Sequence, residues 1–196
     1  MTRIASAAAP PAALFLLALV AQADEMSKPS PPAQPALTRV FRAEITVGRP
    51  VELGLRDGVR RRVIPITGGR LEGARIRGEV LPGGADWQGI REDGTAEVDA
   101  RYAIKTDDGV SITISNAGLR RGPPEVMKRL AAGERVDPNS YYFRTTPTFD
   151  VAAGRYGWLR DSVFVCTGAR EPSVVVLDCY AVPWAVRRSE APSSGS

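Results

Sequence analysis

Val98-Asp-Ala-Arg-Tyr-Ala-Ile-Lys105 is followed, across Asp107-Asp-Gly109, by Val110-Ser-Ile-Thr-Ile-Ser115. In the first run Val98, Ala100, Tyr102 and Ile104 alternate with Asp99, Arg101 and Lys105. In the second, Val110, Ile112 and Ile114 alternate with Ser111, Thr113 and Ser115. Successive side chains of a strand point to opposite faces, so this period of two predicts half-buried strands of an antiparallel sheet. The intervening Asp-Gly is the sequence of a tight hairpin turn.

The same pattern spreads along the chain. Phe41-Arg-Ala-Glu-Ile-Thr-Val47 places its apolar side chains on odd positions and its polar ones on even positions. Further strands are predicted around 51–55, 62–67, 74–81 and 141–149, and in the segments 162–167 and 173–180. Turn signals separate them: Arg56-Asp-Gly58, Thr67-Gly-Gly69 and Glu92-Asp-Gly94. A single stretch, Pro123 to Gly133, reads as helix. Prolines suit its first turn, Val126, Met127 and Leu130 share a face, and Gly133 closes its end. Short strands at a spacing of about ten residues imply a barrel or a sandwich. Closure removes the sheet edges, so the expectation is all-β: one antiparallel β-barrel of roughly 8–10 strands with one short helix.

The ends differ from the middle. Arg3, the apolar run Ala12 to Ala21 and the small-x-small site Ala21-Gln-Ala23 form the pattern of a secretory signal peptide over residues 1–23, cut before Asp24. The run is too short to cross a hydrocarbon core. Residues 24–37 form a Pro-rich linker, 38–184 the barrel domain and 185–196 a polar tail ending Ser-Ser-Gly-Ser. An exported protein, periplasmic or extracellular, is expected, free of the membrane once the signal is cleaved.

Composition narrows the chemistry. The chain has no histidine, which excludes Ser-His-Asp and Cys-His catalysis and histidine-based metal sites. Its two cysteines cannot supply a four-ligand zinc site, and no carboxylate run has calcium-loop spacing. Neither a metal nor a cofactor is expected. The net charge of +4 is carried by arginines scattered among acids, and the longest basic run is Arg60-Arg-Arg62. Without a basic helix or aromatic interleaving, a nucleic-acid partner is not expected. The partner class is a small molecule, with oligomeric state open. For the cysteines, a hairpin turning near Arg170 and Glu171 would set Cys166 opposite Val175. Cys179 would then lie roughly 13 Å away along the strand. A disulfide needs Cα atoms within roughly 7 Å, so two free, buried thiols are expected.

The candidate chemistry starts at Leu81-Pro-Gly-Gly-Ala-Asp-Trp-Gln88. A glycine pair at a strand end permits a bulge, and an acid packed on an indole loses solvation, which raises its pKa toward proton-transfer range. Asp86 is therefore a candidate general acid/base; the competing reading is an ordinary turn with Trp87 plugging the barrel end. In Tyr141-Tyr-Phe-Arg144, Arg144 could clamp a ligand anion and Tyr142 could donate to an oxyanion, as could Tyr102 on the earlier strand. The competing reading pairs Arg144 with a structural acid, Asp86 or Asp99. Trp87, Asp99 and Trp158 are candidate ligand contacts, although aromatics such as Tyr156-Gly-Trp158 most often fill cores.

These segments, taken in order, resemble a known family. Pro65-Ile-Thr-Gly-Gly69, Gly78 to Gln88, Asp99-Ala-Arg-Tyr102, Thr106-Asp-Asp-Gly109, Tyr142-Phe-Arg-Thr145 and Tyr156-Gly-Trp-Leu159 are similar to the bacterial and fungal proteins grouped as domain of unknown function 3237, the UPF0311-like proteins. The resemblance covers about 38 to 184 and implies a compact antiparallel β-barrel. It implies no particular reaction. The chain departs from the family's look in its export signal and in Leu71-Glu-Gly-Ala-Arg75, where similar sequences carry Gly-Pro. The resemblance groups Asp86, Tyr102 and Arg144 into one expected site.

Three functions follow. The first is an isomerase, cyclase or lyase that needs no metal or cofactor. The alternative is a non-catalytic small-ligand binding protein of the cell envelope. The third is an interaction domain whose barrel is filled. A polar-lined cavity holding Asp86 and Arg144 would separate the first two from the third.

Overall fold

The computed structural model describes residues 34–183. The expected signal peptide, most of the expected linker and the tail lie outside those residues. Ten strands follow in order: β1 (Thr38–Val47), β2 (Val51–Arg56), β3 (Val59–Glu72), β4 (Arg77–Val80), β5 (Gly84–Ile90), β6 (Ala96–Thr106), β7 (Ser111–Arg121), β8 (Tyr142–Asp150), β9 (Val163–Arg170) and β10 (Val174–Val182). One helix, α1 (Pro124–Ala131), joins β7 to β8.

The sheet closes on itself. Its order is β1-β10-β9-β8-β7-β6-β4-β3-β2, and β1 also pairs with β3. β4 and β5 both lie between β3 and β6, so together they make one stave, broken at Leu81-Pro-Gly83. The result is a closed antiparallel barrel of eight staves. β2 lies outside the ring, paired only along the first half of β3. Its turn holds Asp57 at φ 51° and Gly58 at φ 76°, the two positive values that a tight hairpin requires.

The alternation does what the sequence predicts. In β6 the even positions Val98, Tyr102 and Ile104 are buried, and in β1 the odd positions Phe41, Ala43 and Ile45 are. One half of the barrel is solid. Phe149 makes edge contacts with Phe41 and Phe164 at centroid distances of 6.1 and 5.0 Å, and Ile104, Ile112, Leu71 and Leu159 fill the remaining space. At the other end Met127 and Leu130 of α1 pack on Val98, Tyr141 and Phe143. Gly133, at φ 79°, ends the helix turn as expected.

Two expectations are corrected. Thr67-Gly-Gly69 is not a turn but the middle of β3, which runs on to Glu72. Gly69 faces Ile45, and a side chain there would strike the Glu44 carbonyl, so the glycine serves a close approach of β1 rather than a reversal. The cysteines are not free: Cys166 and Cys179 form a disulfide across β9 and β10, with Cα atoms 4.0 Å apart. The Glu171 N–H donates to the Val174 carbonyl at 2.8 Å, which centres the turn on Pro172-Ser173. That is two residues later than Arg170-Glu171, and such a shift moves the pairing by four. Cys166 therefore faces Cys179 directly, while Val175 faces Arg170.

Candidate functional site

The inner positions of neighbouring strands converge on a cavity in the half of the barrel nearer α1. Aliphatic side chains of β1, β3 and β10 form one wall, among them Ile45, Ile66 and Leu177. Polar side chains form the other: Asp86 and Gln88 of β5, Asn116 and Arg120 of β7, and Thr145 of β8, with Arg170 of β9 beside them. The cavity volume is ≈ 40 Å³, enough for a few waters and far below the roughly 150 Å³ that accommodates a benzene ring.

Asp86 reaches this position because of the glycines before it. Gly84 lies so close to β6 that a Cβ would meet the Arg101 carbonyl oxygen and Tyr102 Cβ, each at 2.6 Å. The tight approach lets the Asp86 side chain bond to the β6 backbone, its Oδ1 accepting from the Asp99 N–H at 3.1 Å. Gln88 Nε2 donates to Oδ2 at 2.5 Å, and Gln88 Oε1 accepts from Arg62 Nε and Nη2 at 2.9 and 2.7 Å. A guanidinium thus fixes an amide, which in turn fixes the acid. Burial holds the Asp86 carboxyl above the usual carboxylate range, opposed by the Gln88 and Asp99 bonds and by Arg120 and Arg62.

Arg120 is the principal residue that the sequence reading missed. It is 5% exposed, its guanidinium lies 5.6 Å from the Phe143 ring, and burial together with the charges of Arg62 and Arg170 pushes its pKa down to about 10. Burial and neighbouring arginines also lower Arg62 and Arg170. Among the described residues three buried side-chain atoms have no hydrogen-bond partner: Asn116 Oδ1, Arg120 Nε and Thr145 Oγ1. All three belong to residues lining the cavity. In the β7–β8 register Thr145 faces Gly118, midway between Asn116 and Arg120. Unsatisfied buried polar groups are costly, and their gathering at one hollow marks a place where a partner is missing.

The other predicted residues fall elsewhere. Tyr102 is buried and lines the cavity, and burial raises its phenol well above the ordinary value. Arg144 does not share the hollow with Asp86. On β8 the odd positions Phe143 and Thr145 face inward, so Arg144 faces out, donating to the Phe143 carbonyl at 2.8 Å and lying over Tyr142. Tyr142 is exposed on the same outer face, between Arg121 and Arg144. Trp87 is 53% exposed and lines an outer groove with Leu53 and Arg61. The Asp99 carboxylate pairs outside with Arg101 at 3.5 Å, and only its backbone N–H serves the site. Trp158 packs on Phe164 at the solid end, with the Arg75 guanidinium 4.1 Å above its ring. Of the seven named residues, the structure brings Asp86 and Tyr102 together.

The pattern of the family described as "protein of unknown function (DUF3237)" matches residues 35–182, which is the whole barrel. The chain belongs to this family. A UPF0311 protein of Clostridium acetobutylicum is 46% identical over 144 residues, covering 73% of this chain and 91% of that protein. Among solved structures, the DUF3237 barrel is similar to a beta-barrel like protein from Acinetobacter baumannii, with TM-score 0.70 and 37% identity, covering 79% of this chain and all of that one. It also shares its fold with an enzyme from Penicillium herquei, at TM-score 0.60 and 23% identity over 80% of this chain and all of that one. At that identity the likeness is one of fold alone.

Proposed function

We propose that this barrel binds a small molecule and moves a proton on it, as an isomerase, cyclase or lyase without a metal or cofactor, Asp86 acting as acid and base. One observation carries the reading. A carboxyl group is held inside the barrel by two donors, its pKa is raised by burial, and it shares a cavity with a buried guanidinium that has an unpaired N–H. A base in that state can take a proton from carbon or oxygen and return it, and Arg120 can stabilise the negative charge left behind. Arg120 takes the part first assigned to Arg144. The cavity's size restricts the reacting portion to a few heavy atoms. Export is part of the proposal, supported by the leader-like pattern of residues 1–23 and by the paired cysteines, which suit an oxidising compartment. N-terminal sequencing of the secreted protein should begin at Asp24.

The test needs no known substrate. A panel of small enolisable oxo acids and ketones is incubated in D2O with the protein, and deuterium entering the α-position is followed by proton NMR. The wild type should exchange at least one member faster than the buffer does, and Asp86→Asn should lose that excess. A panel recovered unlabelled, but bound, supports the non-catalytic binding reading. Wild-type and Asp86→Asn proteins with equal exchange rates would remove Asp86 from the chemistry.

A further inference from the structure

The cavity lacks a counter-charge. Arg120 and Arg170 line it and Arg62 stands behind Gln88; Arg62 holds the pKa of both down, and Arg170 lowers that of Arg120 further. Asp86 is the one acid lining the cavity beside them, and no ion pair within 4.0 Å joins it to any of the three among the described residues. Arg62 spends two donors on the neutral Gln88 amide, and Arg170 donates to the Val174 carbonyl at 3.5 Å. Glu52 and Glu171 act on Arg62 and Arg170 from outside the cavity. Within the cavity itself two cations, Arg120 and Arg170, face one carboxylate, which leaves an excess of one positive charge beside an aliphatic wall, an arrangement that is costly until an anion enters.

The unpartnered atoms say what kind of anion. Arg120 Nε and the Thr145 hydroxyl have protons to give, and Asn116 Oδ1 needs one. The hollow, at ≈ 40 Å³, admits only a few heavy atoms, and a single excess positive charge suits a singly charged carboxylate better than a phosphate dianion. We infer that the cavity is a receptor for a small carboxylic acid bearing a hydroxyl or enol O–H beside its carboxylate. The carboxylate sits against Arg120 and Thr145, and the O–H donates to Asn116. This rests on the proton-transfer reading for its chemistry, but the ligand class stands on charge and hydrogen bonding alone. It also places the reacting carbon next to the carboxylate, on the side of the cavity where Asp86 waits.

Glycolate is the probe, with glycolamide as its neutral counterpart, acetate lacking the hydroxyl and inorganic phosphate as the tetrahedral anion, all at one ionic strength. Isothermal calorimetry should find glycolate bound more tightly than acetate, and neither glycolamide nor phosphate competing. Arg120→Met should weaken glycolate roughly 10- to 100-fold, the loss of a charge-assisted bond, and Arg120→Lys should recover part of it. Circular dichroism and melting establish that each variant is folded. Equal binding of glycolate and glycolamide, phosphate binding as well as glycolate, or undiminished binding to folded Arg120→Met would each overturn the inference. The two readings separate cleanly. Carboxylate selectivity without deuterium exchange sinks the proton transfer and keeps the ligand class. Exchange of neutral ketones with no preference for acids does the reverse.

Discussion

Replacing Arg120 by methionine should stabilise the empty protein while removing the proposed anion contact. The wild-type guanidinium has its pKa lowered from 12.5 to about 10, chiefly by burial. The unfolded chain binds that proton more tightly than the folded one by about 3 kcal/mol, at 1.36 kcal/mol per unit. For a base with a depressed folded pKa, the penalty is fully present below the folded value and is relieved as pH rises toward the unfolded one. At pH 7 it is therefore undiminished. Methionine keeps most of the aliphatic stem and removes the guanidinium over Phe143, with its charge and its unpaired Nε. Even if repacking consumes half the gain, about 1–2 kcal/mol should survive, or roughly 2–8 °C in a domain of this size. Urea unfolding and thermal melting of both proteins, without added anions, supply the measurement. A variant less stable than wild type by 1 kcal/mol or more would mean that Arg120 is properly satisfied in the empty barrel. The missing counter-charge would then vanish with it.

Other consequences can be checked on the same material. The disulfide closes a loop of sequence separation 13, worth about 3 kcal/mol by chain entropy, so reduction should lower the melting temperature by roughly 6–12 °C. The denatured, unreduced protein should show no free thiol, and two titratable thiols would contradict the pairing. Asp86 has a folded pKa above its unfolded one. Its favourable contribution is complete below the unfolded value and disappears as pH rises through the folded value. Wild-type stability, corrected by the Asp86→Ala profile, should therefore fall with rising pH across that window, and a difference that rises instead would show a paired carboxylate. Gln88→Glu puts a second acid against Asp86 Oδ2, and two adjacent carboxyls cannot both ionise freely. That variant should lose stability at pH 7 and regain it in acid, as judged by melting; parallel profiles would mean that Gln88 does not contact Asp86 in solution.

Much of the fold was legible because parity is a local property. The even positions of 98–104 and the odd positions of 41–47 point inward as their alternation requires. The site was legible by the same rule, had it been extended. Ile112 and Ile114 fix the inner face of β7, and two and six residues beyond Ile114 stand Asn116 and Arg120. Arg144 was chosen for its chemistry, yet Phe143 and Phe149 already claim the odd, inner face of β8. A charged residue beside inward aromatics belongs outside. The cysteine register was harder to read. Arg170-Glu171 and Pro172-Ser173 are both acceptable hairpin centres, and nothing local decides between them. The choice is made by β10 aligning with β1 along Phe41 to Thr46, a long-range pairing that no short window contains. Gly68-Gly69 misled for a related reason: glycine marks either a reversal or a close approach, and only the partner strand tells which.

The arrangement around Asp86 also explains why the acid's pKa is raised even in a nest of arginines. A guanidinium bound directly to the carboxylate would hold it ionised and make it a poor proton donor. Here Arg62 instead grips Gln88 Oε1 with two nitrogens, and that grip dictates which end of the amide faces Asp86. The cation orients the acid through a neutral spacer, giving position without full electrostatic contact. Burial is then left as the largest influence on the carboxyl, and its direction is upward. Arg120 keeps Nε unpaired, so its charge remains for whatever enters. A barrel needing only to fold could have placed aliphatic side chains at 86, 88 and 120, as it does at 64, 66 and 98 on the same inner surface. Burying these three side chains costs stability, and under the proposed function a bound anion would offset that cost.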